Sequence, residues 1–135
     1  MEMFSIASSS DGNSICVGAG ECHILIDAGI SCKRIVEGLK YYNHSIDNIK
    51  AILITHEHSD HIKGIDVVSR KYNIPIYTTI GTWQGILDAS CTKTIDESLF
   101  HEVRYDETFH IGPFTIDPFK TSHDANQPVD YVITD

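Results

Sequence analysis

Ala51-Ile52-Leu53-Ile54-Thr55-His56-Glu57-His58-Ser59-Asp60-His61 runs from five apolar or β-branched residues straight into three histidines and two carboxylates. A continuous apolar run of strand length suits a strand buried on both faces of a layered α/β protein. The sequence therefore predicts a central strand that empties into a loop rich in metal-ligating side chains. His56 and His58 are two apart, so in extended backbone both point to the same side. Asp60 and His61 fall where the chain turns into the next helix. One loop can thus serve two ions, with His56 and His58 toward the first and Asp60 and His61 toward the second. Imidazole and carboxylate suit zinc, manganese and iron alike. His56-Glu57 does not open an H-E-x-x-H helix, because Asp60 stands where the second histidine belongs.

Working outward, residues 4–8, 14–17 and 22–26 read as strands, the last two close enough to pair as a hairpin. Ser31 can cap a helix running to about Tyr41, with Ile35, Val36 and Leu39 on its apolar face. Ile62, Ile65, Val68 and Tyr72 form a second helical face that stops before Pro75. Residues 76–79 read as a strand, and Trp83, Ile86 and Leu87 mark a short helix. Residues 102–105, 108–111 and 114–119 read as strands, with Gly112-Pro113 as the turn between the last two. A further strand begins at Tyr131. No internal repeat or low-complexity segment appears.

The 135 residues suit one domain, and an apolar fraction of 41% is enough to build its core. No apolar run approaches the roughly 20 residues that cross a bilayer, and residues 1–10 lack the basic flank and apolar stretch of a signal peptide. A cytoplasmic location is the resulting expectation. Cys16, Cys22, Cys32 and Cys91 show no C-x-x-C pairing and read as buried reduced thiols. A formal charge of −9 argues against nucleic-acid binding through a broad basic surface. It leaves open a nucleic-acid substrate handled through metal ions.

Thr55-His56-Glu57-His58-Ser59-Asp60-His61 resembles the T-H-x-H-x-D-H motif of metallo-β-lactamase-fold hydrolases. Asp27, in Ile26-Asp27-Ala28-Gly29, matches the acidic residue that ends an early strand in that family. His123, in Ser122-His123-Asp124-Ala125, matches the third histidine of its first metal site. The opening Ser8-Ser9-Ser10-Asp11-Gly12-Asn13-Ser14 and the Ser122-to-Ala125 stretch with Pro128-Val129 are most similar to the YycJ (WalJ) branch, which is associated with DNA exonuclease activity. Asp11 and Asp130 stand where that branch has glycine.

The resemblance implies an αββα sandwich, of which residues 1–135 supply the first half and part of the second. It implies two divalent ions, zinc foremost, held by His56, His58, Asp60, His61 and His123, with Asp27 orienting the ligands from behind. Asp60 would both ligate and partner the attacking water. The family also uses a bridging aspartate and a last histidine further along. Asp135 is read as a turn residue instead of that bridge, and no residue answers to the last histidine, so the chain reads as incomplete at its C-terminal end. His23, His44, His101 and His110 have no second ligand at short spacing and are read as non-ligands. The expected reaction is metal-assisted hydrolysis of a phosphodiester at a DNA end. Opening of small esters, thioesters or lactones on the same scaffold is the first alternative, and a non-catalytic metal-binding module the second. An uncovered sheet face would favour association of such a segment with a second copy.

Overall fold

A computed structural model describes residues 1–135. β1 (Glu2–Ser9), β2 (Gly12–Ala19) and β3 (Cys22–Ile26) form an antiparallel meander. β4 (Ile49–Leu53), β5 (Ile76–Thr78) and β6 (Phe100–Glu102) then add in parallel, giving a six-stranded sheet in chain order. β7 (Phe109–Ile111), β8 (Phe114–Lys120) and β9 (Val129–Thr134) make a second, antiparallel sheet. The helices are α1 (Cys32–Tyr41), α2 (Ser59–Ile62), α3 (Ile65–Tyr72) and α4 (Ile80–Asp88).

The alternation of side chains along β3 and β4 creates two cores from one sheet. Leu25, Ile52 and Ile54 pack against Ile35 and Leu39 of α1, Ile65 and Val68 of α3 and Trp83 and Ile86 of α4. Ile24, Ala51 and Leu53 face the other way, onto Ile111, Phe114 and Ile116 of the second sheet. Each fully buried aliphatic contributes roughly 1.5–3 kcal/mol, so β4, flanked on both faces, anchors both layers. The order is helices, sheet, sheet: most of the expected sandwich, without the outer helical layer.

Local chemistry explains where the elements stop. Ser31 Oγ accepts the Arg34 N–H at 3.3 Å and caps α1, as expected. β4 ends at Leu53 and not at Thr55, because the Thr55 N–H is taken by the Asp27 carboxylate at 2.8 Å. The helical face read over Ile62–Tyr72 is broken into α2 and α3, since the Gly64 N–H turns to the Ala28 carbonyl at 2.8 Å. A Cβ at Gly64 would fall on the Ile30 carbonyl, and one at Gly29 on the Asp60 carbonyl. These two glycines let the loop after β3 lie flat against the histidine loop. β6 begins two residues earlier than expected, at Phe100, where that ring stacks on Trp83 at 4.6 Å.

Other departures are small. Only Cys16 is buried; Cys22 and Cys32 are half-buried and Cys91 is exposed, so the expectation of four buried thiols holds for Cys16 alone and fails outright at Cys91. Asp11 and Asp130 do not take left-handed backbone, so neither position demands glycine. No helix is long and apolar enough to cross a membrane.

Candidate metal centre

The loop from Thr55 to His61 leaves the C-terminal end of β4, beside the end of β3, where ligands gather in open α/β sheets. Asp27 follows β3 with φ 66°, a left-handed conformation that Asp tolerates better than most residues. Its carboxylate is 5% exposed and fully engaged. Oδ1 accepts the Thr55 N–H at 2.8 Å, and Oδ2 accepts the Thr55 hydroxyl at 2.9 Å. Oδ2 also accepts His61 Nδ1–H at 2.7 Å.

Hydrogen-bond direction then fixes the imidazoles, because carboxylate and carbonyl oxygens can only accept. The Thr55 hydroxyl donates to Asp27, so it accepts from His56 Nδ1–H at 2.9 Å, and His56 Nε2 keeps a free lone pair. His58 Nε2–H donates to the Asp124 carbonyl at 2.6 Å, which leaves Nδ1 free. His61 spends Nδ1 on Asp27, leaving Nε2, 3.5 Å from Asp60 Oδ2. Each of the three histidines thus has one nitrogen held by protein, the pattern by which outer partners orient metal ligands. The second nitrogen is free in His56 and His58, and in His61 it faces Asn13 Nδ2 at 3.4 Å.

The rings converge on His56. Ring centroids lie 4.6 Å from His58, 4.1 Å from His61 and 4.7 Å from His123, the last stacked within 11°. Burial pushes the His56 pKa down, the neighbouring His61 adds to this, and Asp27 opposes it incompletely. The neutral form, which can ligate, is favoured. At His61 burial alone would lower the pKa, but the Asp27 hydrogen bond and charge, with Asp60 behind them, outweigh it and the value rises.

The structure therefore brings together Asp27, His56, His58, Asp60, His61 and His123. It does not bring in Asp135. That residue follows β9, whose first residue, Val129, bonds the Thr55 carbonyl at 2.9 Å. Six strand residues at about 3.3 Å each carry Asp135 to the opposite end, where its carboxylate lies 3.3 Å from the N-terminal amine.

Sequence reading missed four supporting residues. Asn13 Nδ2 donates to Asp60 Oδ2 at 3.1 Å and also lies 3.4 Å from His61 Nε2. Glu57 accepts the Asn126 N–H at 3.0 Å. Thr79 donates to the Gln127 carbonyl at 2.7 Å, and Gln127 Oε1 accepts the Gly81 N–H at 2.8 Å. Glu57 thus ties the His123 loop to the histidine loop, and Thr79 and Gln127 tie it to the start of α4. The visible signal was Glu57 itself, a carboxylate inside the histidine cluster. A cavity of about 380 Å³ opens beside His123, lined also by Lys120, Ser122, Asn126 and Tyr105. The larger cleft, about 430 Å³ between α1 and α3, contains no histidine.

The fold is similar to that of Rm3 metallo-beta-lactamase, with a TM-score of 0.83 at 17% identity, over 97% of this chain and 53% of that one. Exodeoxyribonuclease WalJ of Streptococcus pneumoniae is 39% identical over 126 residues, 93% of this chain and 47% of the relative. Exodeoxyribonuclease YycJ of Bacillus anthracis is 38% identical over the same shares. The chain spans about half the length of these curated relatives. A family profile described as "Beta-lactamase superfamily domain" matches residues 23–135, which takes in every histidine of the centre, and the chain belongs to that family.

Proposed function

We propose that this chain provides the greater part of the metal centre of a phosphodiesterase acting on DNA ends. The observation that carries the reading is the gathering of His58, His61 and His123 around His56, with one nitrogen of His56, His58 and His61 each held by protein. Four histidines and one carboxylate form a donor set that fits divalent zinc, with manganese or iron also compatible. His56, His58 and His123 would hold one ion, and Asp60 and His61 would contribute to a second. Ions bound there supply a lowered pKa for a shared water and neutralise charge on substrate oxygens.

The protein's own contributions follow from the geometry. Asp27 fixes the orientation of His61 and, through Thr55, that of His56. Asp60, held by Asn13 and partly open to solvent, would take a proton from water. Lys120, in the same cavity as His123, offers a positive charge to a phosphate in an otherwise acidic protein. The two relatives named exodeoxyribonuclease support DNA as the substrate class.

The test uses the full-length protein with end-labelled DNA, RNA and a small ester. Metal-dependent loss of nucleotides from DNA is expected, falling at least about 100-fold in His58→Ala and Asp60→Ala while far-UV circular dichroism is unchanged. Undiminished cleavage in those variants, or ester hydrolysis without nuclease activity, would overturn the assignment.

A further inference from the structure

Glu2, His23 and His44 meet at the end of the six-stranded sheet remote from the metal centre. Glu2 opens β1, His23 lies near the start of β3, and His44 lies between α1 and β4. Their ligand atoms all lie within 4.8 Å of one another. His23 Nε2 and His44 Nε2 both face Glu2 Oε1, at 3.3 and 2.9 Å. Ligands about 2.0–2.1 Å from a tetrahedral zinc sit about 3.3 Å apart, so these separations approximate the edges of such a site. Asp27 lies four residues beyond His23, about 13 Å along the strand, so the two clusters share no ligand.

Three features mark the cluster as built. His23 is 2% exposed, and its Nε2 meets Glu2 as its one hydrogen-bond partner. The ring occupies space left by Gly18, where a Cβ would fall on the imidazole edge. His44 is clamped between His23, 4.4 Å away, and Phe4, stacked within 10° at 5.1 Å. Its side chain is 20% exposed and that of Glu2 54%, which leaves an approach from solvent.

We propose that Glu2, His23 and His44 form a second binding site for a divalent transition metal, best suited to zinc. Two imidazoles and one carboxylate make a three-ligand set with a fourth position open to water. The ion ties the edge strand β1 to β3 and to the segment before β4, so its binding adds to folding stability.

Zinc bound by the metal-saturated, dialysed chain is counted by elemental analysis and followed by thermal melting. Glu2→Gln and His44→Gln each bind one equivalent less than the parent, and zinc raises their melting temperature less. His58→Ala, altered only in the other centre, retains that equivalent. Both test positions are solvent-accessible, so the result does not depend on replacing buried His23. Unchanged zinc content and melting shift in Glu2→Gln and His44→Gln would reduce the cluster to hydrogen-bonded histidines without a metal.

Discussion

Asp27 concentrates more of the centre's order than any ligand candidate does. One buried carboxylate receives the Thr55 amide, the Thr55 hydroxyl and the His61 ring, and sets His56 through that hydroxyl. Asn is the informative replacement, because it tolerates the left-handed backbone and removes only charge and acceptor capacity. Asp27→Asn is expected to weaken zinc binding at the His56 centre by about 10–100-fold with the secondary structure intact, as read by zinc titration and circular dichroism. An unchanged affinity would leave Asp27 as a turn residue. At this scale the sequence was legible wherever chemistry is local: His56, His58, Asp60 and His61 stand within six residues. Asn13 and Glu57 escaped notice because their partners lie 47 and 69 residues away. Asn13 reads as one more polar turn residue until Asp60 is placed against it.

Elements were legible by pattern, and their ends were not. The apolar run of β4, the Ser31 cap and the Gly112-Pro113 turn each follow from local preference. The break between α2 and α3 instead reflects a tertiary competitor for one amide. The same logic fixes α3 from its side. Asp66, 5% exposed, accepts the Thr94 amide at 3.0 Å, the Thr94 hydroxyl at 2.7 Å and Arg70 Nε at 3.2 Å. Burial would raise its pKa, but the two Thr94 hydrogen bonds and Arg70 outweigh it and hold the carboxyl below its usual range. A carboxylate with a depressed folded pKa stabilises the protein above the unfolded value, about 3.9. That contribution fades as pH falls from there through the folded pKa. Asp66→Asn should therefore cost about 1.5–3 kcal/mol at neutral pH, chiefly through Thr94, since the Arg70 side chain is 46% exposed and screened. Urea unfolding at neutral pH and below about pH 3.5 checks this, and an equal cost at both would place the effect elsewhere.

For the whole molecule, one strand feeding one loop was enough to anticipate the layered α/β plan, because β4 has to be covered on both faces. What coverage the remaining surfaces receive depends on contacts no local pattern encodes. β1 is an edge, but its register slips between Ser5 and Ala7 and it carries Glu2, both of which discourage further pairing. β9 is one edge of the second sheet; it pairs without a register slip and carries a single charge, Asp130, with Val132 48% exposed. Between β9 and the meander, Met3, Ile15, Val17, Ile26, Tyr131 and Ile133 line a mainly apolar cleft of about 260 Å³. A second copy offers this surface both an unpaired strand and apolar side chains, opposed by the repulsion of two chains at −9. Salt screens that repulsion and spares the apolar attraction. The isolated chain is accordingly expected to self-associate reversibly, more at about 0.5 M salt than at about 50 mM. Val132→Lys, a charge on the open edge, should raise the dissociation constant on the order of tenfold, about 1.4 kcal/mol. Sedimentation velocity over a concentration series decides it: a concentration-independent monomer at both salt levels would mean that β9 and the cleft are satisfied without a partner.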